Sequence, residues 1–289
     1  MPYVEFKPRP DLAHIVKCVW NYDAAADDTA ERPERIVPDG NPELVIHYGD
    51  PFAEIAPDGG KRLQPRAFVM GQITRPLALD ACHGVAGVLG VRFHPAGVRA
   101  LIGAAMDEFT NGRIEVSNFA PSRAKGLVDE IASAADAPAR AEIIQNFVTD
   151  RAARSTRYQD TDVDRWAARI ACANGRLTVT ELAGEASLST RQLERRFRTQ
   201  VGIAPRDYAN IIRFRSVFDL LTGGAKADWA KLAAEAGYFD QSHLNRDFRR
   251  FLGCSPTAFV TQLRGLTAVL VGADEDTACR VVTRRAGAG

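Results

Sequence analysis

Arg191, Glu194, Arg195 and Arg198 stand at i, i+3, i+4 and i+7, a spacing that stacks four side chains on one face of a helix. Ser242, Asn245, Arg246 and Arg249 repeat that spacing, each 51 residues further on. A guanidinium donates in pairs to guanine O6 and N7, an asparagine amide pairs with adenine N6 and N7, and a glutamate accepts from cytosine N4. Two such stripes have the chemistry to read base edges in a duplex. A single stripe of this kind equally describes a solvated helix face, and the repetition is what favours base reading.

The repetition extends beyond the stripes. Leu182-Ala183, Ala186, Leu193, Arg195, Phe197, Gly202 and Pro205 are answered by Leu232-Ala233, Ala236, Leu244, Arg246, Phe248, Gly253 and Pro256, with an offset of 50 residues before the turn and 51 after it. Each copy reads as helix, tight turn, helix. Thr178 with Glu181, and Ser189 with Gln192, have capping-box spacing; Asp228 and Asp240 are N-caps; Gly237 and Gly253 stop helices; and Pro205 and Pro256 suit first helical positions. In the second helices Leu193, Phe197 and Val201, and Leu244, Phe248 and Phe251 or Leu252, face inward, which leaves the polar stripes outside. Between the copies Tyr208 to Leu221 predicts a long helix that holds the units at a fixed separation. A basic second helix after a short turn is the helix-turn-helix pattern, whose second helix enters the major groove.

Side chains near the helix starts and flanks suit phosphates, which fix register without reading sequence. These are Thr190, Gln192, Arg196, Arg206, Arg213, Gln241, His243 and Arg250, with a capping or packing role as the alternative for His243. Charge distribution agrees: Gly175 to Gly265 carries 14 Lys and Arg against 9 Asp and Glu, while the remainder carries 23 against 27. The overall charge of +1 hides that asymmetry.

With these residues identified, the stretch Arg176 to Val260 (ELAGEASLSTRQLERRFRTQVGIAPRDY, then DWAKLAAEAGYFDQSHLNRDFRRFLGCSPTAF) resembles the double helix-turn-helix domain of the AraC/XylS family of bacterial transcriptional regulators. The resemblance implies a supporting helix at 163–173, recognition helices at about 190–200 and 241–251, and a linker helix near 206–222. It also implies recognition helices set in successive major grooves about 34 Å apart, with Arg191, Arg195, Ser242 and Arg246 at DNA-contacting positions. The first unit departs from the pattern at Ala186-Ser187-Leu188, where the second has Ala236-Gly237-Tyr238. PDGNPELVIHYGD, FVMGQITRPL and GVRFHPAGVRALIG look like the cupin-like sensor domain attached to a subset of these regulators.

The first hundred residues read as strands and turns. Val16, Cys18, Trp20 and Tyr22 share a face at period two, Leu44 to Tyr48 is a β-rich run closed by Gly49-Asp50-Pro51, and Phe68 to Met70 and Val85 to Phe93 continue the theme. From Pro95 the period becomes helical. The expected fold class is α+β: a β-rich cupin-like domain with flanking helices (residues 1–153), a linker (154–162), an all-α domain of two helix-turn-helix units (163–267) and a disordered tail (268–289).

A sensor needs a concave, mostly apolar site, and Trp20, Tyr48, Phe68, Met70, Arg92 and His94 are its candidate handles, with plain core filling as the alternative. A metal is not expected, since His14, His47, His83 and His94 lack H-x-H spacing and the five cysteines are dispersed. No cofactor or catalytic motif is found. No apolar run nears the roughly 18 residues of a membrane span, so a cytoplasmic protein is expected. The partners expected are double-stranded DNA at promoter sites and a small-molecule effector, with RNA polymerase and a second copy of the chain as further candidates. Competing readings are an enzyme with a cupin-like catalytic half and a DNA-targeting tail, and a non-specific architectural DNA-binding protein.

Overall fold

Period-two alternation in the N-terminal third and 3.6-period alternation after it divide the chain into a β-rich and an α-helical part. The computed structural model describes residues 3–24, 34–56, 58–80, 85–154, 161–221 and 228–262. Residues 155–160, which carry most of the expected linker, and the expected tail lie outside the described residues, as do Cys82, His83 and Cys279.

The strands are β1 (Tyr3–Phe6), β2 (Val16–Ala24), β3 (Glu34–Ile36), β4 (Glu43–His47), β5 (Ala53–Ile55), β6 (Lys61–Leu63), β7 (Ala67–Met70), β8 (Leu77–Asp80), β9 (Ala86–Phe93) and β10 (Arg113–Glu115). They form two sheets, of order β1-β2-β9-β4-β7-β10 and β3-β8-β5-β6, with every described pairing antiparallel. Helices α1 (Arg99–Ile102), α2 (Val116–Phe119), α3 (Pro121–Ala132) and α4 (Ala137–Ala153) follow, with a 3-10 turn at Met106–Phe109. The C-terminal part holds α5 (Thr161–Cys172), α6 (Val179–Glu185), α7 (Thr190–Val201), α8 (Pro205–Leu220), α9 (Trp229–Glu235), α10 (Gln241–Leu252) and α11 (Pro256–Gln262). The fold class is α+β.

Alternation sends each strand's residues to two different cores. On β4, Leu44 and Ile46 join the cluster under α3 and α4 that contains Leu127, Ile144 and Phe147. Val45, on the opposite face, packs with Trp20, Phe52, Leu79 and Val88 between the two sheets. Trp20 pairs with Gly90 across the ladder, and a Cβ at Gly90 would lie 2.0 Å from the indole ring. A glycine there is what lets the indole lie across the strand.

One sequence expectation changes here. Val16 does not share the face of Cys18 and Trp20, because the β2–β9 register shifts between Val16 and Cys18. The irregularity flips the alternation, so Val16 joins Val19 in the helix-side core.

The third core holds the C-terminal helices. Phe214 of α8 is wholly buried, with ring centroids 5.1 Å from both Phe248 and Phe251 and 5.2 Å from Phe218. Val37 and Ala96 of the N-terminal domain belong to this same core, so the two parts share buried apolar surface.

Candidate nucleic-acid interface

Helices α7 and α10 are built from the local signals of their sequence. Ser189 caps α7 in a reciprocal capping box with Gln192, and Asp240 caps α10 by accepting from the His243 N–H at 2.6 Å. Both helices end on a left-handed glycine, Gly202 at φ 102° and Gly253 at φ 72°. The turns ahead of them also have left-handed residues, Ser187 at φ 54° in the first unit and Gly237 at φ 81° in the second. Leu193, Phe197, Leu244 and Phe248 are wholly buried, as their spacing predicts.

The outward stripes are where periodicity puts them. Arg191, Glu194, Arg195, Arg198, Ser242, Arg246 and Arg249 are exposed; Asn245 is half-buried, and its Oδ1 has no hydrogen-bond partner. Thr190, Gln192, Arg206 and Gln241 are exposed at the helix starts. Gln192 also keeps its capping-box bonds to Ser189, and the remaining phosphate candidates are engaged within the protein. Arg196 bonds Asp162 at 3.2 Å and lies over Trp166 at 4.8 Å; Arg213 bonds Asn210 at 2.9 Å and lies over Tyr238 at 4.8 Å. Arg250 bonds Asp207 at 2.9 Å, and the His243 ring packs edge-on to Tyr238 at 5.1 Å. Sequence spacing cannot reveal these partners, because Asp162 and Asp207 lie on other helices.

Residues of the N-terminal domain hold both α7 and α10 at their carbonyl ends. The Thr110 hydroxyl donates to the Gly202 carbonyl, and Arg35 Nη1 donates to the Leu252 carbonyl at 2.8 Å. Exposed carbonyls at a helix C-terminus attract donors and cations, so each contact satisfies a group the helix itself leaves open. Asp107, from the 3-10 turn, shares a groove of about 520 Å³ with Arg191, Glu194, Arg195 and Arg198.

Residues 182–262 match a protein family described as a helix-turn-helix domain. The C-terminal third is an AraC-type helix-turn-helix domain. Residues 4–115, ahead of it, match a family described only as a domain of unknown function, DUF6597. No curated protein matches the sequence. Among solved structures, ToxT from Vibrio cholerae is similar at 12% identity and a TM-score of 0.48, covering 86% of this chain and 98% of that one. ToxT with bound unsaturated fatty acid is similar at 12% identity and a TM-score of 0.47, covering 85% and 95%.

A cavity of about 90 Å³ lies between the two sheets, beside the helix-turn-helix domain. Trp20, Phe68, Met70 and Arg92 of the sequence-derived handles line it. Tyr48 and His94 lie elsewhere. Tyr48, next to His47 in sequence, takes the opposite side, where Arg140 covers its ring at 4.3 Å and Asn21 and Asp23 share its hydroxyl. His94 follows the end of β9, where the chain turns, and its Nε2 meets the Ala13 carbonyl at 3.3 Å.

Sequence reasoning found Arg92 but missed its charged partners. Arg92 bonds Glu43 at 2.8 Å and pairs with Asp39 at 3.4 Å, and Arg215, reaching over from α8, completes the cluster. Burial works against the charge on Asp39, but Arg92 and Arg215 hold its carboxyl below the usual range; burial and Asp39 push Glu43 up. Gly40, left-handed at φ 80°, abuts α8: a Cβ there would lie 2.7 Å from the Tyr208 ring and 3.4 Å from Ile212. The turn glycine in PDGN was a usable signal, since a position needing positive φ or a close approach favours glycine.

Among the described residues there is no group of three or more His, Cys, Asp or Glu able to hold a metal ion, and no helix long and apolar enough to cross a membrane.

Proposed function

We propose that the chain is a sequence-specific transcriptional regulator, in which α7 and α10 read successive major grooves of one promoter site and the N-terminal domain adjusts that reading when a small molecule binds. The observation that carries the DNA half is the pair of outward stripes on two equivalent helices, exposed but for the half-buried Asn245 and each backed by a buried Leu and Phe. Arg191, Glu194, Arg195 and Arg198, with Ser242, Asn245, Arg246 and Arg249, are the base readers. Thr190, Gln192, Arg206 and Gln241 take phosphates; Arg196, Arg213 and Arg250 take them only by leaving or sharing their present partners.

The regulatory half is supported by a wall common to cavity and reader. Asp39 and Asn41 line the cavity, Gly40 between them packs on α8, and Arg215 of α8 lines the cavity itself. A molecule that shifts this loop shifts the helix joining the two units, whose far ends Thr110 and Arg35 hold. No second copy of the chain is needed for two-groove reading, because one chain supplies both helices.

The test is selection of sites from a random duplex library, followed by affinity on the recovered site and on a scrambled duplex. The expected result is two short blocks about 10 base pairs apart, bound roughly 10³-fold or more above the control. Equal affinity for both duplexes favours the non-specific architectural reading and contradicts this one.

A further inference from the structure

The two helix-turn-helix units align residue for residue as far as their turns, and there the second is one residue longer. The Leu188 N–H donates to the Ala183 carbonyl and the Tyr238 N–H to the Ala233 carbonyl, so Tyr238 stands where Leu188 does, at an offset of 50. Ser189 caps α7 and Asp240 caps α10, an offset of 51. Phe239 is the added residue. It is 92% exposed, more than any other large apolar side chain among the described residues.

The turn itself has no need of that ring. Gly237 supplies the left-handed residue, Tyr238 is buried, and Asp240 accepts from the His243 N–H. A lone exposed apolar side chain is ordinary on a protein surface; what sets this one apart is its place. Consecutive Cα atoms are about 3.8 Å apart, so the Cα of Phe239 lies within roughly 11 Å of that of Ser242, the first residue of the second stripe. The major groove is about 12 Å wide, so a helix seated there by Ser242 and Arg246 carries the ring into the groove or onto its lip. Phosphate oxygens along the groove walls offer nothing to a phenyl ring. The apolar group that base edges present there is the thymine C5-methyl.

We infer that Phe239 is a further specificity-determining residue, whose ring packs on the C5-methyl of a thymine in the block read by α10. The first unit, which lacks the added residue, makes no equivalent contact. This rests on the proposed reading of α7 and α10 as a pair of DNA readers.

Fluorescence anisotropy on the full chain, with the duplex recovered by selection, tests the contact from both sides. On the DNA side, each thymine is replaced in turn by deoxyuridine, which removes only the methyl and needs no protein variant. One replacement, in the block whose preference Arg246→Ala relaxes, should weaken binding about threefold to fivefold, the worth of one buried methyl. On the protein side, Phe239→Ala should weaken binding to the thymine duplex about tenfold. It should also leave the unfolding temperature unchanged and make the deoxyuridine replacement silent. Undiminished affinity of Phe239→Ala overturns the inference and leaves the ring for a protein partner. A deoxyuridine penalty that persists in the variant, or no penalty anywhere in that block, overturns it equally. In each of those cases Arg246→Ala still relaxing one base pair keeps the regulator reading. Equal affinity of the unaltered protein for the recovered and scrambled duplexes overturns both.

Discussion

The two helix-turn-helix units share a plan but differ in what supports them. In the second, Tyr238 donates to the buried Asp247 at 3.0 Å, lies under Arg213, and meets the edge of His243. The equivalent positions of the first unit are Leu188 and Arg196, and Arg196 turns instead to Asp162 and Trp166 of α5. Phe248 has aromatic neighbours in Phe214, Phe218, Trp229 and Phe259, while its counterpart Phe197 has Tyr208. The first unit has a different support: the 3-10 turn of the N-terminal domain packs on it, with Asp107 beside its arginine stripe. The second unit is thus braced mostly from inside the helical domain, and the first partly by the domain that holds the cavity. On the proposed reading, a ligand signal would reach the first unit more directly.

The largest expected effect tests the internal bracing. Phe248→Ala and Phe197→Ala should each destabilise by about 3–5 kcal/mol in urea unfolding, with Phe248→Ala the more costly because it strips more ring contacts. Equal losses would erase this difference between the units. Next come the stripes: Arg195→Ala and Arg246→Ala should each cost about 1–3 kcal/mol in DNA affinity and relax preference at one base pair. The pairs should fall in different blocks of the site, as fluorescence anisotropy on single-base variants would report. Loss at the same block from both substitutions breaks the two-unit account.

The turns give a smaller contrast. Gly237→Ala places a Cβ in left-handed backbone and should cost about 1–2 kcal/mol; the added methyl would also press on the Arg176 side chain, whose Nε would lie 2.8 Å away and whose Nη2 donates to the Glu235 carbonyl. Ser187→Gly relieves the same kind of strain but frees the unfolded chain, which returns roughly 0.4–1 kcal/mol. A net stabilisation near 0.5 kcal/mol is expected, read from thermal unfolding, and a clear destabilisation would show that the Ser187 side chain itself contributes. Smallest is Asp107→Asn, which should raise DNA affinity only a few-fold at low salt and lose that gain as ionic strength screens the charge. A gain that persists at high salt would point to a contact other than the acidic charge.

The C-terminal domain was legible from sequence because its determinants are local. Caps, left-handed glycines and inward Leu and Phe all lie within one turn of the helix they define, so spacing sufficed for α7 and α10. The cavity was legible only in part. Trp20, Phe68, Met70 and Arg92 follow from strand alternation, yet the same alternation puts His47 on the cavity side and Tyr48 off it, and the aromatic was preferred to its neighbour. The short strands β3, β5, β6 and β8 lack a long period, so the strands of the second sheet could not be placed from sequence, nor Leu77, Leu79 and Phe52 with them. Thr110 and Arg35 are single polar residues whose partners lie about 90 or more positions away, and Arg215 acts on Asp39 of the other domain, so no local pattern marks these contacts.

On the proposed reading, α7 and α10 act as one pair at fixed separation. Five base pairs inserted between the two blocks of the selected site would rotate one block by about half a turn, since B-DNA repeats every 10–10.5 base pairs. Affinity for the inserted duplex is expected to fall to about that of a duplex carrying one block alone. Undiminished affinity would contradict it, and would mean that the two units read DNA independently.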